Sequence, residues 1–173
     1  MIIIANILSL VANILCGVSS FFKKKKTILL VQTTECCLGS LVQILAGNPA
    51  AAVELLICAF RNFVTSKGLK AKWVYWLFSI FFLGFGLLFN NNGLIGFLPV
   101  IATIQYTLWL GYSKTAQAVR YGMILNYIPW IIHDFMSRLY VSAGCMTVFL
   151  CLTIINIIRY KNIEKSPLSQ SED

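Results

Sequence analysis

The chain reads as a succession of apolar stretches separated by breaks only a few residues long. A bilayer's hydrocarbon core is about 30 Å thick and takes roughly 20 residues of helix to cross. Cut at its breaks, the sequence gives spans of that length at about 3–22, 27–46, 50–66, 71–89, 94–112, 117–136 and 141–160, the third being the shortest. The breaks are Lys23–Lys26, Gly47–Pro49, Ser66–Lys70, Asn90–Gly93, Ser113-Lys114 and Ser137-Arg138. Gly, Pro and Asn adopt the backbone angles of tight turns at low cost, so most of these breaks have a physical cause.

Composition agrees with lipid as the solvent. Of 173 residues, 58% are apolar and 12% charged, against about 45–50% and 25% in soluble domains. So few charges cannot cover a water-facing surface. A formal net charge of +8 would suit a nucleic-acid partner, but the basic residues form short clusters between apolar runs rather than a continuous stripe. Nucleic acid is therefore excluded, and the bilayer is the expected partner. The apolar run Ile2–Phe22 has no basic residue before it and Lys23–Lys26 after it. That order marks a first membrane span with its N-terminus outside rather than a cleaved signal.

Orientation follows from the same charges. Connections on one side hold Lys23, Lys24, Lys25, Lys26, Lys67, Lys70, Lys72 and Lys114, and helix ends there add Arg61, Arg120, Arg159, Lys161 and Lys165. Of the 14 basic residues only Arg138 falls on the other side. The positive-inside rule makes the crowded side cytoplasmic, and an odd number of spans then puts the C-terminus in the cytoplasm.

The six cysteines (Cys16, Cys36, Cys37, Cys58, Cys145, Cys151) lie in apolar runs with no CxxC or Cys/His spacing. They read as small buried hydrophobes, and neither a metal nor a cofactor is expected. An internal repeat is visible: Ser9–Ile14 resembles Pro99–Ile104, each followed by an aromatic residue and lysine, and Cys58–Arg61 corresponds to Asn156–Arg159. The expected architecture is all-α with seven transmembrane helices in a 3+1+3 plan. A three-helix bundle (1–66) and a linker helix (67–93) precede a second bundle in the same orientation (94–161), with a disordered cytoplasmic tail (162–173).

Phe97–Gln105, Trp130–Phe135 and Leu152–Tyr160 resemble the YgjV family of bacterial inner-membrane proteins. The resemblance implies an inner-membrane location and multi-pass topology. More distantly, the 3+1+3 plan is similar to the SWEET and PQ-loop transporters, which carry sugars or amino acids by alternating access. This chain has no Pro-Gln dipeptide. Of the pocket asparagines those proteins place on each third helix, only Asn156 has a counterpart; Cys58 takes the other position.

Ionisable groups at lipid depth cost several kcal/mol unless paired or hydrated. Glu35, near the middle of the second span, is the sharpest functional candidate. Asn13, Thr33, Thr34, Gln105 and Asn126 fall at similar depth and form a polar layer, as a solute path or as helix–helix glue. Asn126, Pro129, Trp130 and His133 share one helical face, with His133-Asp134 near the outer surface, where an interfacial Trp/His belt is the plainer account. Pro99 and Pro129 are hinge candidates, because proline removes a helix hydrogen bond. Glu54 and Arg61 are seven residues apart, roughly 10 Å by helix rise, too far for a direct pair. Arg61 and Arg159 end the third helix of each bundle, where snorkelling to headgroups explains both.

No Walker loop, GxSxG, HExxH or dinucleotide fingerprint occurs, so an enzyme is not expected. The leading expectation is a small-solute transporter with a midplane site. A non-transporting scaffold or receptor subunit is the rival, and an intramembrane enzyme a weaker third. Monomer and homo-oligomer both stand open.

Overall fold

The computed structural model describes residues 2–68, 71–90 and 93–160, with side chains from residue 4. Lys70, Lys161, Lys165 and the 162–173 tail lie outside the described residues. All secondary structure within them is helical: α1 (Ile2–Ser19), α2 (Lys25–Leu45), α3 (Pro49–Ser66), α4 (Lys72–Phe89), α5 (Gly93–Tyr112), α6 (Ala116–Met136) and α7 (Tyr140–Tyr160). Every boundary falls within three residues of the expected span.

The helices stop and start for local reasons. Gly47 takes a φ of 81° after α2, and the Asn48 N–H closes the turn on the Gln43 carbonyl. Pro49 then opens α3, where its missing N–H costs nothing. Arg138 adopts a φ of 61° after α6, the one non-glycine with positive φ among the described residues, and Leu139 N–H closes on Asp134 O in the same pattern. At the start of α6, Thr115 caps with its hydroxyl, which accepts from the Ala118 N–H.

Helices α2, α4, α5 and α7 are each long and apolar enough to cross a membrane by themselves. In α1 the described apolar stretch, Ile4–Ser19, is shorter. Helices α3 and α6 carry buried polar and charged side chains, Glu54, Arg61 and Asn62 in one and Arg120, His133 and Asp134 in the other. Those groups turn inward, while Phe60, Ile80, Leu88, Ile128, Ile155 and Ile158 are exposed outward. Apolar outside and polar within suits lipid as solvent.

Within each end of the chain the packing is sequential. Helix α2 lies between α1 and α3, and α6 between α5 and α7. The two sets meet through α1 against α7, α3 against α5, and α2 against α6, while α4 packs outside on α3 and α5. Small residues permit these approaches. A Cβ on Gly122 of α6 would stand 2.5 Å from Trp109 Cδ1 of α5, and the Trp109 indole is held by its hydrogen bond to Ala118 O. Gly122→Ala should therefore lower unfolding stability in mild detergent by about 1–3 kcal/mol; a neutral result would mean that α5 and α6 separate freely.

Candidate functional site

Six helices contribute to a cavity of about 70 Å³ inside the bundle, and α4 supplies none of its lining. At about 30 Å³ per liquid water, this is space for a few waters or a ligand of a few heavy atoms. The lining follows helical periodicity. Ser9, Ala12, Asn13 and Cys16 come from α1; Gln32, Glu35, Cys36, Gly39 and Gln43 from α2; Met123, Asn126, Tyr127, Trp130 and Asp134 from α6. Each set repeats at three and four residues, so each helix turns one face inward, small and polar on α1 and α2 and partly aromatic on α6.

Glu35 is half-buried and lines the cavity. Its Oε2 accepts from the Cys36 thiol at 3.4 Å, a weak donor. Beside it, Gln32 Oε1 accepts from the Tyr106 hydroxyl of α5 at 3.0 Å.

Arg61 departs from the snorkelling expectation. It is 1% exposed and lines the same cavity. Nε and Nη2 donate to Asn62 Oδ1 at 3.2 and 2.9 Å, and Nη1 donates to the Thr107 hydroxyl at 2.5 Å. The guanidinium lies over the Tyr106 and Phe82 rings, 5.2 and 5.8 Å from their centroids. These aromatic and hydroxyl partners on α4 and α5 draw the side chain inward rather than to the headgroups. Arg159, by contrast, is exposed.

Glu54 does not pair with Arg61. It is 1% exposed, and the Thr103 hydroxyl reaches both its Oε2, at 3.3 Å, and the Pro99 carbonyl. Thr107 in turn donates to Thr103 O at 2.5 Å. The acid and the base thus act on successive turns of α5.

His133 and Asp134 are not an interfacial belt; both are 1% exposed. His133 Nδ1 and Asp134 Oδ1 are 3.1 Å apart, and Asp134 Oδ2 accepts from the Ser142 hydroxyl at 2.5 Å. Asn13 Nδ2 donates to that same Ser142 oxygen at 3.0 Å, joining α1 to α6 and α7. Asp134 and Ser142 line the cavity with Glu35; His133 lies outside its lining.

Of the candidates read from sequence, the structure brings Asn13, Glu35, Asn126, Trp130 and Arg61 to one cavity. Gln105 is not among them. It lies in an apolar groove with Ile101, Leu108 and Trp109, and neither end of its amide meets a partner among the described residues. Asn156 is buried but ties α7 to α1, its Nδ2 donating to Ser20 Oγ at 3.0 Å. Thr33 and Thr34 bond back to the carbonyls of Leu29 and Leu30 on their own helix. Pro99 and Pro129 sit inside unbroken α5 and α6 and outside the lining. Cys16, Cys36 and Cys58 are buried and line the cavity, whereas Cys37 and Cys151 are exposed.

One end of the bundle is rich in cations that reach across it. Arg120 of α6 donates from Nε to Ser20 O at 2.9 Å and from Nη2 to Phe22 O at 2.7 Å, at the end of α1. Lys25 of α2 donates to Ser113 O at 2.5 Å and Leu110 O at 3.4 Å, at the end of α5. Both place a cation on the negative, carbonyl-bearing end of a helix.

The model of the Imp-YgjV family, bacterial inner membrane proteins, matches residues 3–164. The inner membrane protein YgjV of Escherichia coli strain K12 is 27% identical over 153 residues, which is 87% of this chain and 81% of that protein. No solved structure matches. With a match over nearly its whole length, apolar helices that can cross a membrane and a polar interior, the chain belongs to the YgjV family of bacterial inner-membrane proteins.

Proposed function

We propose that the chain is a small-solute carrier that works by alternating access between α1–α3 and α5–α7, with α4 as the linker. The observation that carries this reading is the cavity where the two sets of helices meet, with Glu35 and Arg61 on a wall whose surface is otherwise largely apolar. A bundle that only scaffolds partners has no need of such a space.

The packing supports two like-oriented halves. Exchanging α1, α2 and α3 with α5, α6 and α7 returns the same set of contacts among these six helices, α4 standing outside the exchange. Two pairs of cross-links and one pair of turns obey the same exchange: Lys25 on the end of α5 with Arg120 on the end of α1; Gln32–Tyr106 with Cys16–Tyr127; and the Gly47 turn with the Arg138 turn. All seven helices then cross the bilayer, N-terminus outside and basic end cytoplasmic. The cavity is complete within one copy. Because His133 is tied to Asp134 and lies outside the lining, the geometry favours carriage over catalysis.

The test uses Cys36 as the only cysteine, with the other five replaced by alanine. A membrane-impermeant methanethiosulfonate should modify Cys36 from the outer face, because charge-assisted bonds close the basic end whereas the neutral Asn13–Ser142 bond spans the other. A Cys36 that reacts from neither face means a sealed bundle and a scaffold.

A further inference from the structure

The cavity wall carries a guanidinium, Arg61, and a carboxyl group, Glu35, that form no direct ion pair with each other. Among the described residues Arg61 has no carboxylate within ion-pair distance, and its hydrogen bonds go to Asn62 and Thr107. Three of its five N–H groups are thereby used, leaving two. Glu35 meets only the Cys36 thiol. The remaining lining carboxylate, Asp134, is already engaged by His133 and Ser142.

A buried charge without a counter-charge is costly, and a ligand that supplies one recovers that cost. The candidate solutes differ in how many charges they satisfy. A sugar leaves both uncompensated. A simple carboxylate answers Arg61 and leaves Glu35, whereas a simple amine does the reverse. A molecule with one carboxylate and one ammonium answers both. Tyr127 and Trp130 add aromatic rings to the wall, suited to an ammonium, and about 70 Å³ limits the whole molecule to a few heavy atoms.

We propose that the solute is a small zwitterionic amino acid, its carboxylate on Arg61 and its ammonium on Glu35. The proposal rests on the carrier reading above. It also assigns each charge a separate role in selection: losing Glu35 turns an amino-acid site into a carboxylate site.

The full chain, reconstituted in vesicles of phosphatidylethanolamine and phosphatidylglycerol, should take up radiolabelled alanine saturably. Glycine should compete, and glucose, acetate and ethylamine should not. Arg61→Gln should lower alanine uptake about tenfold or more, with Arg61→Lys recovering only part of it, since an ammonium keeps the charge but not the fork held by Asn62 and Thr107. Glu35→Gln should lose alanine by a similar factor and gain acetate, a switch that a damaged fold cannot produce. Uptake of glucose or acetate instead of alanine by the unsubstituted chain overturns the zwitterion and leaves the carrier standing, as does full alanine uptake by Glu35→Gln. Uptake of none of these solutes, with Cys36 unreactive from either face, overturns both.

Discussion

Arg120→Ala is expected to cost about 3 kcal/mol of unfolding stability, whereas Arg159→Ala should change it by less than about 0.5 kcal/mol. The two residues are chemically identical and both were placed by sequence at the cytoplasmic end. Arg120 is 1% exposed and its guanidinium makes three hydrogen bonds: two to the carbonyls that end α1 and one to Gln117 Oε1, at 2.8 Å. It also lies over the Tyr160 ring, 4.8 Å from the centroid. Bonds from a charged donor contribute about 1.5–3 kcal/mol each, and the carbonyls of Ser20 and Phe22 would lose this donor in a poorly hydrated place. Arg159 is exposed and, among the described residues, rests beside Tyr160, 5.7 Å from the ring centroid. Arg120→Lys should recover part of the loss, since an ammonium can reach one carbonyl but not hold the planar fork. Denaturation in mixed micelles, followed by tryptophan fluorescence, measures all three; equal losses for Arg120→Ala and Arg159→Ala would show that α1 is not held through its end.

The contrast between these arginines shows what the sequence carries. Span lengths and breaks were legible because each rests on local physics: the number of apolar residues, and Gly47, Pro49 or Ser113-Lys114 between runs. Much of the cavity was legible for the same reason. Ser9, Asn13 and Cys16, or Gln32, Glu35 and Cys36, recur at helical spacing, and such a polar stripe on an apolar helix has to face inward. Depth alone misled. Gln105 sits at the right level of α5 but two residues from Thr103, hence on another side of the helix, and it meets an apolar groove. Arg61 was undecidable locally, since an arginine near a helix end can snorkel outward or turn in. The partners that decide it, Thr107, Tyr106 and Phe82, belong to other helices. Asp134 read as near the outer surface and Glu35 as near the middle of its span, yet the two line one cavity.

Lys25→Gln should move the reactivity of a sole Cys36 toward the cytoplasmic face by about tenfold while leaving stability within about 1–2 kcal/mol of the parent. No Cα of α2 lies within 8 Å of one of α5, and the same holds for α6 and α1. At the basic end these helix pairs are therefore bridged by side chains alone, with Lys25 and Arg120 as the two cationic links. A link of this kind can be broken without unpacking a helix interface, which a carrier needs in a gate. Glutamine keeps a donor but no charge, so the attraction to the carbonyl end of α5 weakens. A loss of about 1.4 kcal/mol from the closed state alone raises the open population tenfold relative to it. Lys26→Gln is the control, because Lys26 is exposed one residue further along the same helix. If Lys26→Gln shifts Cys36 as far as Lys25→Gln does, the effect is one of surface charge and the clamp is no gate. If neither shifts it, closure of the basic end belongs to the packing of α1 on α7 and α3 on α5, and those interfaces would have to open in its place.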